Sequence, residues 1–222
     1  MGCRGPRNTN AILLGLVVER ASGRPLAEYI ERNVLESAGM NHTFLPRGTE
    51  FPAPHAHGST DRTANGRTEE ATDWNPSWAW AAGGMVCDQH DMRIRARVLA
   101  TGTLVTPATQ VERLKMSPSN LPSTGYGPGI FDVEGWIGHN GSLPGYESLV
   151  IHLPESEATL VVLLDTDTDY QGSEPSLLFV EAITRVVTPQ HIHTLPAQPA
   201  GRRTGWWAGR RSGCSVRQLG DQ

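Results

Sequence analysis

Apolar positions in the first forty residues fall at helical spacing. In Thr9–Ser22 (TNAILLGLVVERAS) they occupy nearly every side of the turn and stop at Gly23, which predicts a buried helix with a glycine terminator. Pro25 opens a second helix, in which Leu26, Tyr29, Ile30, Val34 and Leu35 recur at helical intervals until Gly39. From Asn41 to Trp80 the periodicity fails, and Pro, Gly, His, Thr and Asn dominate. This reads as a long loop region with room for one short strand pair, a length that in compact domains marks a functional rim. Asp88 reads as the N-cap of a helix reaching about Ala100, and Pro107 to Lys115 predicts another. Then the period shortens to two. Gly127 to Ile137, Glu147 to Leu153 and Ala158 to Leu164 predict three strands of an antiparallel meander, the last two joined by a tight turn at Pro154-Glu155-Ser156. Pro175 to Val187 is amphipathic and predicts a helix lying over the sheet. The fold class expected is therefore α+β, an antiparallel sheet packed with helices.

After Thr188 the chain changes character. The stretch from Ala197 is rich in Gly, Arg and Trp without an apolar period, and is expected to be disordered or only loosely attached. Five Arg and one Asp between Gly201 and Gln222 give it +4, so the remainder carries −8 within the total of −4. That total points to no polyanionic partner. The tail's GRRTGWWAGRR has the composition of an RNA or anionic-membrane binder, but the expectation adopted is no nucleic-acid partner. Three distant cysteines, Cys3, Cys87 and Cys214, suggest neither a disulfide framework nor a zinc knuckle. No apolar run reaches membrane-span length, and MGCRGPRNTN has no apolar leader core, so no export signal is read and the compartment stays open.

Three segments, in order, carry a family resemblance. NTNAILLGLVVERASGRPLAEYIERNVLESAGMNHTFLP, AAGGMVCDQHDMRIRARVLATG and GPGIFDVEGWIGHNGSLPGYESLVIHLPESEATLVVLLDTD resemble the serine β-lactamase and D-alanyl-D-alanine carboxypeptidase family, the penicillin-recognising hydrolases, from about Asn8 to about Val187. The resemblance implies an incomplete β-lactamase/transpeptidase-like fold. It divides the chain into an unrelated stretch at 1–7, a partial domain at 8–188, and a linker and tail at 189–222. It also implies acyl transfer on a β-lactam, a D-Ala–D-Ala peptide or an ester. In that chemistry the serine of an S-x-x-K motif attacks the carbonyl, helped by the lysine, and a Tyr-x-Asn tyrosine shares acid/base duty. A Lys/His-x-Gly strand supplies one wall and an oxyanion-hole N–H.

Carried onto this sequence, Asn8 takes the asparagine of Tyr-x-Asn. Pro6 stands where the tyrosine would be, and proline has no proton to exchange. His139, Asn140 and Gly141 fill His-x-Gly, and Ser142 is the residue whose N–H faces the oxyanion. The candidate site residues are thus Asn8, His139, Gly141 and Ser142. S-x-x-K is absent: the one lysine is Lys115, and Glu112 stands three residues before it. Loss of such a unit removes on the order of 10³-fold or more of the catalysis. The chain is therefore expected to be a fragment of a serine hydrolase, inactive as given. The alternative is a non-catalytic module that binds peptidoglycan peptides.

Plainer readings compete. Asn140-Gly141 is by itself a type I′ hairpin signal, and Asn8 alone is an ordinary helix cap. His55-x-His57 and His191-x-His193 lack a supporting Cys or carboxylate cluster, so no metal or cofactor is expected. Asp165, Asp167 and Asp169 read as a solvated strand end rather than a calcium loop. Trp74, Trp78 and Trp80 are read equally as a substrate rim or as anchors beneath the loop.

Overall fold

The computed structural model describes residues 8–118 and 124–194. Helix α1 (Asn8–Ser22) ends at Gly23 and is followed by α2 (Leu26–Ile30). The Glu19 carboxylate accepts from the Leu26 N–H at 2.8 Å and so caps α2 from the preceding helix. From α2 the chain passes through a π-helical turn at Glu31–Leu35 into α3 (Glu36–Ala38), which closes on left-handed Gly39. The long loop region holds one short hairpin, β1 (Ser59–Thr60) with β2 (Glu69–Glu70), as the sequence left room for. Asp88 caps α4 (Gln89–Thr101) by accepting from the Asp91 N–H at 2.8 Å, and Thr106 caps α5 (Pro107–Arg113).

Six antiparallel strands follow in simple chain order. They are β3 (Ser117–Pro118), β4 (Thr124–Gly127), β5 (Ile130–Val133), β6 (Trp136–Leu143), β7 (Tyr146–Leu153) and β8 (Ala158–Leu164). The expected single strand Gly127 to Ile137 is instead parts of three strands. It folds back at Gly129 (φ 75°) and again at Glu134-Gly135 (φ 52° and 87°), turn positions lying inside an apolar run. Helix α6 (Pro175–Val187) matches the expected span.

Side-chain alternation along β7 builds a core on each sheet face. Leu149, Ile151 and Leu153 join Trp136, Phe131, Val133 and Val180 of α6. Val150, on the other face, joins Met92 and Ala96 of α4 with Leu35 and Met40. The strands β6 and β7 approach closely: a Cβ on Gly138 would fall 2.0 Å from the Val150 carbonyl oxygen, so only glycine fits there. Packing continues beyond α6. The Trp136 indole N–H donates to the His191 carbonyl at 2.7 Å, and His193 is 1% exposed beside the Phe131 ring. The expected N-terminal stretch at 1–7 and the tail from Ala197 lie outside the described residues.

Two burial expectations are corrected. Helix α1 is not a buried helix: Leu13, Leu14, Leu16 and Val17 are 51–64% exposed. Among the described residues its main neighbours are α2 and the 80–82 segment. The Asp165–Asp169 stretch is not simply a solvated strand end, because Asp167 is buried and ion-paired.

Candidate active site

The His139-Asn140-Gly141-Ser142 run lies inside β6, not in a hairpin. The chain reverses at Pro144-Gly145, and Gly141 pairs with Ser148 in the middle of the β6–β7 ladder. Of β6, strand β5 pairs only with Trp136–Gly138. His139 to Leu143 are held by β7 on one side and have no strand partner on the other among the described residues. That open stretch leaves backbone polar groups of β6 facing away from the sheet. It is the placement an oxyanion-binding wall requires.

The His139 ring is engaged at both nitrogens. Nδ1 lies 2.6 Å from the Asn140 carbonyl oxygen, an acceptor only, so Nδ1 carries the proton. Nε2 is then the bare nitrogen, and it accepts from the Tyr126 hydroxyl at 3.0 Å. The Phe131 ring packs 5.7 Å away. Burial pushes the imidazole below its ordinary 6.5, the Asn140 carbonyl opposes this, and the Arg95 charge adds to it. His139 is therefore neutral at pH 7. In an NMR titration its ring is expected to protonate only below pH 6.5; protonation at or above that value contradicts the assignment. Tyr126, whose hydroxyl is pushed up by burial, has no sequence signal of its own.

Asn140 and Ser142 share one face of β6, where a polar network underlies the wall. The Asn140 amide donates to Glu174 Oε2 at 3.1 Å. Ser142 Oγ accepts from Arg62 Nη2 at 2.5 Å, and Arg62 Nε pairs with Asp167 Oδ2 at 2.5 Å. Asp167 Oδ1 in turn accepts the Gly145 N–H at 3.0 Å, tying the β6–β7 turn to the same pair. Opposite Ser142 in the ladder stands Glu147, 2% exposed, which accepts the Ser176 N–H at the start of α6. Burial, with the Glu174 and Asp169 charges nearby, raises Glu147 to about 7, and burial likewise raises Glu174. A Cβ on Gly141 would meet Ser148 Oγ at 2.7 Å, a hydroxyl that can turn aside, so the ladder alone does not demand glycine there.

Asn8 stands elsewhere. It is the first residue of α1, with its Oδ1 buried and without a hydrogen-bond partner. At 100° per residue it shares the side of α1 that carries Gly15, which packs on Trp80 and Ala81. The structure thus gathers His139, Gly141 and Ser142 on one strand and puts Asn8 on a helix whose main neighbours are α2 and residues 80–82.

The rim is anchored on the β6–β7 turn. Tyr146 Oη donates to the Ala56 carbonyl and accepts from the Gly58 N–H, and Phe51 packs edge-on against its ring. Trp74 and Trp78 are exposed at 43% and 62%, whereas the Trp80 ring lies against α1 at Gly15. Trp80 is thus an anchor, and Trp74 and Trp78 are not.

The histidine pairs have other work. His57 bonds Glu70, which raises its pKa; His55 stacks on Phe51. His191 contacts the Glu134 carbonyl and Glu155, and His193 is depressed to about 4 by burial. His42, Asp88 and Asp91 bring metal-type donor atoms within 4.8 Å of one another. Their bonds close the α4 N-terminus onto the loop: His42 Nδ1 to Asp88, and the His42 N–H and Thr43 hydroxyl to Asp91. Cys87, raised to about 11 by burial, is no nucleophile at neutral pH. Lys115 is exposed and paired with Glu112 just after α5.

Residues 7–180 match the family model described as Beta-lactamase. The chain belongs to the beta-lactamase family. Among solved structures it resembles a D-stereospecific amidohydrolase from Streptomyces sp., at 26% identity and TM-score 0.68, over 73% of this chain and 50% of that one. It also resembles a D-amino acid amidase from Ochrobactrum anthropi, at 24% identity and TM-score 0.65, over 76% of this chain and 51% of that one. An octameric penicillin-binding protein homologue from Pyrococcus abyssi superposes with TM-score 0.64 at 23% identity, over 84% of this chain and 44% of that one. The chain thus spans about half the length of these relatives. Its α+β architecture is that of a partial beta-lactamase-family fold. Among the described residues no helix is long and apolar enough to cross a membrane.

Proposed function

We propose that this chain forms the sheet-side wall of a beta-lactamase-family serine hydrolase site without the group that accepts the acyl chain. Residues 8–188 make up the hydrolase-type unit in this reading. The observation that carries it is the fate of the sole lysine: Lys115 is exposed, paired with Glu112, and has no serine three residues before it. In the family chemistry the serine's proton leaves with the help of a lysine one helical turn away, and nothing in the sequence offers that pair.

What the chain supplies is orientation and polarity. The Ser142 N–H on open β6 acts as an oxyanion donor, Gly141 presents no side chain beside it, and neutral His139 lines the wall with Tyr126 behind it. Asn8 acts from the helix side. The substrate class fitting this wall is an acyl compound with a polarisable carbonyl, whether β-lactam, D-Ala–D-Ala peptide, D-amino acid amide or ester. The purified chain is expected to show no turnover of a chromogenic cephalosporin or of D-alanine p-nitroanilide above the buffer rate. Sustained hydrolysis of either, retained through repurification, contradicts the reading. A second reading, a non-catalytic peptide-binding module, draws on the exposed Trp74 and Trp78 of the rim.

A further inference from the structure

We propose that His42, Asp88 and Asp91 form a divalent-cation site of zinc type that pins the root of the long loop to the start of α4. The site draws on no residue of the β6 wall. One ligand atom from each residue lies within 4.8 Å of the other two. An imidazole nitrogen with two carboxylate oxygens is a donor set that suits zinc, and three protein ligands leave a fourth position for water. Among the described residues no other group of histidine, cysteine and carboxylate side chains gathers three such donors within that distance.

Each carboxylate divides its two oxygens. Asp88 Oδ1 accepts the Asp91 N–H and caps α4, which leaves Oδ2 to the His42 ring at 2.9 Å. Asp91 Oδ2 accepts the His42 N–H at 2.8 Å and the Thr43 hydroxyl at 2.7 Å. Asp91 Oδ1 is left over. Asp91 is 0% exposed, and this oxygen has no hydrogen-bond partner. No arginine or lysine pairs with either carboxylate among the described residues. A buried carboxylate oxygen with neither a donor nor a cation is costly, and a purely structural role for Asp91 does not account for it. The α4 N-terminus offsets about half a charge, so two carboxylates beside an uncharged imidazole leave the group anionic.

The frame for a metal is preformed. Phe44 and Val86 exchange both backbone hydrogen bonds at 3.0 Å, two residues from His42 and from Asp88. Asp91 is fixed in the first turn of α4. The side chains of His42 and Asp88, 64% and 45% exposed, form the open side. Tetrahedral zinc, with bonds of about 2.0–2.2 Å, sets its ligand atoms roughly 3.3 Å apart. His42 and Asp88 already stand near that separation, and the longer ones, at most 4.8 Å, close by turning these two side chains toward Asp91. With the metal on Nδ1, the neutral ring carries its proton on Nε2. The sequence hides the group because His42 and Asp91 stand 49 positions apart.

Calorimetric titration of Zn²⁺ into the full chain, stripped beforehand with EDTA, tests the proposal, with the melting temperature followed in parallel. His42→Ala removes an exposed ring and keeps the backbone N–H that Asp91 binds. Asp88→Asn keeps an oxygen for the cap and loses the charged ligand. Both variants are expected to fold and, without zinc, to melt within about 2 °C of wild type. Wild type is expected to bind one zinc here and to gain roughly 5–10 °C at a hundredfold excess over Kd. Each variant should weaken that binding at least tenfold and lose the gain. His57→Ala, the control for zinc held elsewhere, should change neither. A wild type that binds no zinc at millimolar concentration overturns the proposal and leaves Asp91 Oδ1 to a buried water. Zinc binding with a thermal gain that both variants retain also overturns it, because the metal then sits on other side chains.

Discussion

Replacing Arg62 with alanine is expected to destabilise the protein by roughly 1–3 kcal/mol, the range for leaving a buried polar group without its partner, because Asp167 is enclosed while Arg62 is 39% exposed. The effect comes from what remains. The Asp167 side chain is wholly enclosed, and Arg62 Nε is the cation that faces it. Without the guanidinium, Asp167 keeps only the Gly145 N–H against a buried negative charge, and Ser142 loses its Arg62 donor. The same change frees the β6–β7 turn, so the wall loosens where the oxyanion donor is wanted. The control is Arg62→Ala with Asp167→Asn. A neutral amide keeps an oxygen for Gly145 and removes the stranded charge, so most of the lost stability should return. Urea denaturation measures both variants. A cost below about 1 kcal/mol for Arg62→Ala, the scale of an exposed ion pair, shows that the network does not hold the wall.

The second large effect is a pair of opposing pH dependences. Glu147 is raised from 4.5 to about 7, so between those values the folded state keeps a proton that the unfolded state has released. Its contribution is full below pH 4.5 and is lost as pH rises through 7. His193 is depressed from 6.5 to about 4, so its contribution is full above pH 6.5 and is lost as pH falls through 4. Between pH 4.5 and 6.5 the two slopes oppose each other and the wild-type profile is flattened. Glu147→Gln removes the falling limb and gains stability relative to wild type on going from pH 5 to pH 8, on the order of 3 kcal/mol. His193→Phe removes two buried ring nitrogens that have no hydrogen-bond partner, and it gains relative to wild type in the opposite direction, from pH 7 to pH 4. Profiles of the two variants that run parallel to wild type contradict the assignment of both groups.

The sequence was most legible where structure is decided locally. Asp88 announces α4 because its carboxylate caps the helix three residues on, and the period of Pro175–Val187 matches a helix with one dry side. The strands were harder. Gly129 and Gly135 break what reads as one apolar run into separate strands, while Asn140-Gly141 turns nothing because Pro144-Gly145 does so a few residues later. Within the candidate site, the motif carried His139, Gly141 and Ser142 but not what holds them. Arg62 lies eighty positions from Ser142, and Glu174 thirty-four from Asn140. Such contacts follow from strand register and loop return, which no local pattern encodes. Tyr126 reaches His139 for the same reason, from a strand two places away in the sheet. The apolar run of α1 was plain, but a pattern states only that a face wants covering. Which part of it is covered follows from its neighbours, α2 and residues 80–82.

Intact-protein mass spectrometry after incubation with a penicillin and with an activated D-amino acid ester tests the central claim most directly. A wall without an acyl acceptor leaves the protein mass unchanged under both reagents. A mass gain equal to the acyl group, mapped to a serine of this chain and lost on boiling in hydroxylamine, contradicts it.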